Sequence, residues 1–335
     1  MRRIIFNILY HTGFAHILFM LHKLSGKIPI VLFHRVSPDP DPCWPPLTPL
    51  QFEETIRLLS KHYTFYSLDQ ILSSRKDIKK NACCIVFDDG FLDFKLHALP
   101  ILVKYKVPTT LFVPTDNIDR NAPIWTSTVD NILLNTNDSQ EDKEIAVGKE
   151  KITLKLRSEK NIFKTAARIK NILMSYEIGP RDLIIKNIKD LLSNGIIKDH
   201  PMLSWKDIAE IKSKYPELID IQNHTHTHPF LPSLKQNEIE AELKISNDIL
   251  TGKKFNPTDK LAYPIGGYNQ KAIDASLKLF NSAFAVENRL VELKKLTDDP
   301  EYRFKIPRFN IHTTNPKETF LFLNEFHSRV LFLFK

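Results

Sequence analysis

A parallel α/β sheet or barrel is the fold class this sequence predicts, and two observations predict it. Short apolar runs of strand length alternate with segments of helical spacing along most of the 335 residues. Four of the runs end in residues that carry chemistry: His34, Asp88-Asp89, His224 to His228, and the Gly266-Gly267 loop. In a parallel barrel every strand ends at one face, so four segments far apart in the chain would meet there.

Taken in order, the elements support this reading. Ile4 to His22 holds no formal charge and predicts an apolar helix flanked by Arg2, Arg3 and Lys23. Asn7, His11 and His16 interrupt it and no small-residue cleavage site follows, so it makes a poor secretory signal. The expectation is a separate N-terminal helix over 1–27, packed on the domain or lying on an anionic membrane surface. The chain is then cytoplasmic, or peripheral on the cytoplasmic face of the membrane. The main domain runs over 28–335.

Ile30 to Phe33, entered through Pro29, is the first strand, and it stops at His34-Arg35. After a Pro-rich loop, Thr48 to Tyr63 has helical spacing at Phe52, Ile56 and Leu59. A short strand at Thr64 to Tyr66, a helix at Leu68 to Leu72 and the buried strand Cys83 to Phe87 follow. Ala98 to Tyr105 reads as helix and Thr109 to Val113 as strand. At about Pro123 the alternation pauses, and an inserted α+β segment over 123–203 is expected. It comprises an alternating strand pair over Ile145 to Arg157 with Gly148 near the turn, then helices over Glu159–Tyr176 and Pro180–Ser193. The main pattern resumes with Ser204 capping Trp205–Lys214, the strand Leu218–Gln222, a helix over Asn237–Leu250 and the strand Leu261–Tyr263. Helix Gln270–Leu279 and strands Ser282–Val286 and Phe304–Ile311 follow. Asn315-Pro316 opens a last helix whose apolar residues are Phe320, Leu323, Phe326, Val330 and Phe334.

Composition narrows the function. Hydrophobic content of 42% and charged content of 26% suit a soluble globular chain. The net charge of +8 is uneven, because Lys149 to Asp199 holds twelve Lys/Arg against six Asp/Glu. Such a segment fits an anionic partner or a solvated helical face. It lacks interleaved aromatics and any nucleic-acid module, which argues against nucleic acid. Cys43, Cys83 and Cys84 form neither a disulfide framework nor a zinc knuckle.

The strand-end residues suggest hydrolysis. Adjacent carboxylates at the mouth of a buried strand repel and lose hydration unless a cation or a reaction uses them. His224 and His228 are spaced i, i+4, which on one helical turn aims both rings the same way and His226 elsewhere. Two imidazoles and one carboxylate make the ligand set of an open catalytic zinc site. A cation held by one Asp leaves the other free as a base. His34 is placed to protonate a leaving amine. Taken singly, each motif also has an ordinary reading, as an acidic turn, a surface His pair or a core-edge histidine.

Together these residues resemble the polysaccharide deacetylase family, carbohydrate esterase family 4. Phe87-Asp88-Asp89-Gly90 matches its first motif and His224-Thr225-His226-Thr227-His228-Pro229 its second. Ala262-Tyr263-Pro264-Ile265-Gly266 falls at the third, and Leu32-Phe33-His34 matches a Leu-x-His motif, here ahead of the Asp pair. That permuted order is similar to the poly-N-acetylglucosamine deacetylase branch. The resemblance covers about 28–120 and 200–310. It implies a distorted (β/α) barrel, with Asp89, His224 and His228 as metal ligands, Asp88 as base and His34 as acid. It also implies an oxyanion and substrate site around Ile265 and Tyr263. Many members place an Arg at the start of the third motif, where this chain has Ala262; either another residue, with Arg35 the candidate, replaces it, or the base is tuned differently. The implied metal is zinc, with cobalt or nickel accepted by the same ligands. The implied substrate is an N-acetylated glycan or lipid-linked sugar. The competing readings are an idle metal-bearing glycan-binding module and a membrane-associated assembly partner.

Overall fold

The computed structural model describes residues 2–73, 77–136, 143–154, 158–192 and 200–326. Twelve strands are present among them: β1 (Lys27–Ile28), β2 (Ile30–Phe33), β3 (Thr64–Phe65), β4 (Ala82–Phe87), β5 (Thr109–Val113), β6 (Lys143–Val147), β7 (Glu150–Leu154), β8 (Ile219–Asn223), β9 (Lys260–Ala262), β10 (Ser282–Val286), β11 (Val291–Glu292) and β12 (Ile306–Asn310).

Seven of these close into a parallel barrel in chain order, β2-β4-β5-β8-β9-β10-β12, with β12 returning to β2. β3 adds beside the start of β4. Barrel strands are buried on both faces, so they read as continuous apolar runs; all six residues of β4 are buried. Ile30, Leu32, Cys84, Val86, Phe112, Phe284 and Ile306 share one core cluster, and Val31, Phe33, Ile85 and Phe87 join the other with Phe52, Ile56 and Phe94 of the helical layer. The adjacent cysteines therefore fall in different cores, and all three cysteines are free and buried.

Local sequence sets the helix starts. Thr48 and Gln51 form a reciprocal capping box with Pro49 in the first turn, and Ser204 and Asp207 form another. The insertion begins with a helix the sequence pattern did not reveal, Trp125–Leu134. The hairpin β6–β7 and helices Glu159–Leu173 and Ile178–Leu192 complete it around a core of its own, which includes Val129, Ile152, Ile169 and Ile188. Lys155, Leu156 and Arg157 of the expected strand lie outside the described residues.

The expected N-terminal helix is two helices, Arg2–His11 and Phe14–Leu24. The break falls at Thr12-Gly13, where Gly13 takes φ 84°, a left-handed turn that suits glycine. The last helix is Pro316–Leu323, with Asn315 capping it, and Phe326 still packs on the core. Val330 and Phe334 lie outside the described residues.

Candidate metal centre and active site

Strand ends build the site, as the barrel topology requires. His34 follows β2, Asp88 and Asp89 follow β4, His224 follows β8, and Val286 and Asn310 close β10 and β12. All of these line one pocket of about 340 Å³, together with Trp44, Ile265, Gly266, Phe163, Lys170 and Met174. That volume is near the lower end for ligand pockets.

Backbone strain aims the carboxylates. Asp89 has φ 74° and Gly90 φ 75°, two consecutive left-handed residues. Asp is one of the few non-glycine residues enriched there. At Gly90 a Cβ would crowd Val113 Cγ1 at 3.0 Å, and the φ of 75° would strain most other residues, so both favour glycine. Ile265 is also left-handed, at φ 59° and ψ 7°, a costly conformation for a β-branched residue and one that collects at functional sites.

The histidines do not sit on a helical turn. Residues 224–228 form a loop, because Thr225 (φ 66°) and His228 (φ 53°) are both left-handed. Asn223 Oδ1 accepts from Thr225 N–H at 2.7 Å, and Glu242 accepts from the N–H groups of His226 and Thr227. Trp125 of the insertion donates Nε1–H to the His228 carbonyl at 2.9 Å. The loop still brings the two rings together, with centroids 4.9 Å apart. His226 turns away as expected, its Nδ1 2.8 Å from the Thr115 hydroxyl.

Asp89, His224 and His228 converge as one buried cluster. Nε2 of His224 and Nε2 of His228 each lie 3.3 Å from Asp89 Oδ1. Neither contact has hydrogen-bond geometry, and Asp89 Oδ1 is left buried without a partner. Two ligands about 2.0 Å from a tetrahedral ion stand about 3.3 Å apart, so the spacing is that of a shared cation. His224 Nδ1 lies 2.8 Å from the Ala262 carbonyl, an acceptor only, so Nδ1 carries the proton and Nε2 offers its lone pair. These residues fit a divalent metal. Burial alone would raise the Asp89 carboxyl, but the His224 and His228 rings outweigh it and draw it well below the usual range. Burial likewise lowers His228, whereas Asp88 and Asp89 overcome burial at His224 and raise it.

Asp88 is held by a residue the sequence pattern did not single out. Arg308, fully buried on β12, donates Nη1–H to Asp88 Oδ1 at 2.7 Å. Its Nε donates to the Ala285 carbonyl at 3.2 Å, and the guanidinium lies 5.5 Å from the Phe112 ring centroid. The available signal was a lone Arg inside an apolar strand, Ile306 to Phe309. Arg35, expected to replace the missing third-motif Arg, does not reach Asp88. It is clamped between Asp41 (3.1 Å) and Asp93 (2.9 Å) in the loop after β2. Asp41 in turn accepts from the N–H groups of Cys43 and Trp44, so Arg35 acts on the loop that presents Trp44.

His34 lies in the pocket with its ring edge-on to Trp44, centroids 4.9 Å apart. Burial lowers its pKa, against the pull of Asp89 and Asp88. Ile265 lines the pocket as expected, but the Tyr263 side chain does not. It is fully buried, with its hydroxyl donating to the Phe304 carbonyl at 2.9 Å and its ring stacked on Tyr268. Tyr263 therefore anchors the loop from below.

A family profile described as Polysaccharide deacetylase matches residues 183–281, which include both histidine ligands and the Ile265 loop. No curated protein matches the chain in sequence. Among solved structures, the chain is similar to the Streptococcus pyogenes deacetylase PplD in complex with acetate, at 17% identity and a TM-score of 0.56, covering 89% of this chain and 98% of that one. It is similar to a polysaccharide deacetylase from Bacillus cereus at 18% identity and a TM-score of 0.56, covering 89% and 69%. It is also similar to IcaB from Ammonifex degensii at 15% identity and a TM-score of 0.56, covering 89% and 97%. These likenesses establish the fold. The sequence match over residues 183–281 and the metal-binding cluster, set on this fold, support reading the chain as a carbohydrate deacetylase similar to the polysaccharide deacetylase family.

Proposed function

We propose that the chain removes N-acetyl groups from an amino sugar in a glycan, polymeric or lipid-linked, with zinc as the preferred metal and cobalt or nickel as substitutes. The observation that carries this reading is the meeting of the Asp89–His224–His228 cluster with an Arg-held Asp88 and His34 in one pocket.

Asp89, His224 and His228 would hold a divalent ion, which when bound would supply Lewis-acid activation of water and of the amide carbonyl. Asp88 then takes the proton of the attacking water, with Arg308 fixing its orientation. The left-handed Ile265 turn offers backbone N–H to the developing oxyanion. His34 gives a proton to the leaving amine nitrogen, so the free amino sugar and acetate depart. Trp44, with Phe163 and Met174 of the insertion, gives the pocket an apolar lining against which a sugar ring packs.

The test is acetate release from a panel of N-acetylated oligosaccharides and lipid-linked sugars, with N-formyl analogues alongside. Release should require zinc, cobalt or nickel and stop on chelation. A metal-loaded protein that releases nothing from the whole panel would favour the idle glycan-binding module.

A further inference from the structure

We infer that the two N-terminal helices form a docking surface for an anionic phospholipid membrane. The inner faces of these helices are already packed. Ala15, Leu18, Phe19 and His22 are buried, Phe19 lies edge-on to Tyr63 and His62 at 5.1 and 5.5 Å, and the Tyr10 hydroxyl bonds His62 Nε2 at 2.9 Å. A surface helix packed on one face is normally polar on the other. These two are apolar there as well. Ile17, Met20, Leu21 and Leu24 recur at i, i+3, i+4 and i+7 and are 47–75% exposed, and Ile4, Ile5 and Ile8 are 49–63% exposed. Seven of the fifteen exposed large hydrophobics among the described residues fall in these helices, which makes a patch rather than a scatter.

Charge selects the occupant. Arg2, Arg3, Lys23 and Lys27 all precede the first carboxylate of the chain, Asp39. The groove beside the first helix adds Arg57, Lys61 and Lys317 against Glu54. An apolar face on a segment whose sequence carries cations and no carboxylate suits a bilayer whose acyl boundary takes the Ile, Leu and Met side chains while its anionic headgroups meet the Lys and Arg. A second copy of the chain would set like charges against each other. The geometry suits a surface-lying pair. Among the described residues no single helix is long and apolar enough to cross a membrane; the two together have the length and apolarity of a broken span, but they are bent by 66° and their inner faces are packed on the domain. This proposal is independent of the catalytic reading.

The test is co-sedimentation of the full chain with phosphatidylcholine vesicles, with and without phosphatidylglycerol. The wild type should pellet with the anionic vesicles and release as salt rises. The triple variant Ile17→Ser, Met20→Ser, Leu24→Ser should bind at least about tenfold more weakly, with its melting temperature and its turnover of a soluble substrate unchanged. Arg2→Glu with Arg3→Glu, which leaves the apolar face intact, should also weaken anionic binding. Absence of wild-type binding, or equal binding by the variants, would overturn the proposal. So would lipid-free dimerisation that the triple variant abolishes, since a second copy would then cover the face.

Discussion

Arg308 and Asp88 are 220 residues apart in sequence and joined at the barrel mouth by a buried hydrogen-bonded ion pair, Nη1 to Oδ1 at 2.7 Å. β12 returns beside β2, and β2 lies beside β4, so the last barrel strand serves the Asp pair at the end of the second. Ala262 leaves the third-motif position empty of charge, yet its carbonyl fixes the His224 tautomer. The positioning role and the tautomer role are thus divided between β12 and β9.

Arg308→Lys and Arg308→Met should lower kcat by about 10–100-fold with metal content unchanged. Added guanidinium should restore part of the activity of Arg308→Met. Wild-type turnover in both variants would show that Asp88 needs no positioning residue.

His34→Gln separates two chemistries. Amide hydrolysis should fall by about 10²–10⁴-fold, because the leaving amine needs a proton. An activated aryl acetate, whose leaving group departs as an anion, should still turn over near the wild-type rate. Equal losses on both substrates would remove His34 from the acid role.

The insertion wall should act on binding. Phe163 lines the pocket and is 51% exposed, so Phe163→Ala is expected to leave the fold intact. KM for an N-acetylated oligosaccharide should rise about tenfold, with kcat near wild type. An unchanged KM would place the sugar elsewhere.

Ser204 and Asp207 cap the helix that leads into β8, and Lys95 bonds Asp207 at 2.6 Å. Burial would raise Asp207, but the bonds from Lys95 and Ser204 outweigh it and set its folded pKa at about 2. A folded pKa below the unfolded value of about 3.9 adds stability above that value and loses it as pH falls towards 2. The stability gap between wild type and Asp207→Asn, measured by denaturant midpoint, should therefore be full at neutral pH and shrink below about pH 4. Ser204→Ala should cost about 1 kcal/mol.

The sequence made the barrel legible because buried parallel strands leave unbroken apolar runs, as at Ala82–Phe87, and turn residues mark their ends. It also made the metal cluster legible, because Asp89 and the two histidines are unusual in such positions. It misled on how the histidines converge. The i, i+4 spacing suggests a helix, whereas two left-handed residues and the Glu242 carboxylate shape a loop with the same outcome. Arg308 was hidden because closure of the barrel, rather than sequence proximity, brings it to Asp88. Arg35 was misplaced for the converse reason: it lies next to His34 in sequence but points into a carboxylate pair of its own. The insertion carried no motif, and only packing shows Phe163, Lys170 and Met174 facing the pocket.

The division of labour within the Asp pair is the central claim, and metal content measured alongside acetate release tests it most directly. Asp89→Ala should lose both metal and activity. Asp88→Asn should retain stoichiometric metal while turnover falls by about 10²–10⁴-fold. Loss of metal from both variants, or retention by both, would contradict the assignment of Asp89 to the metal and Asp88 to the proton.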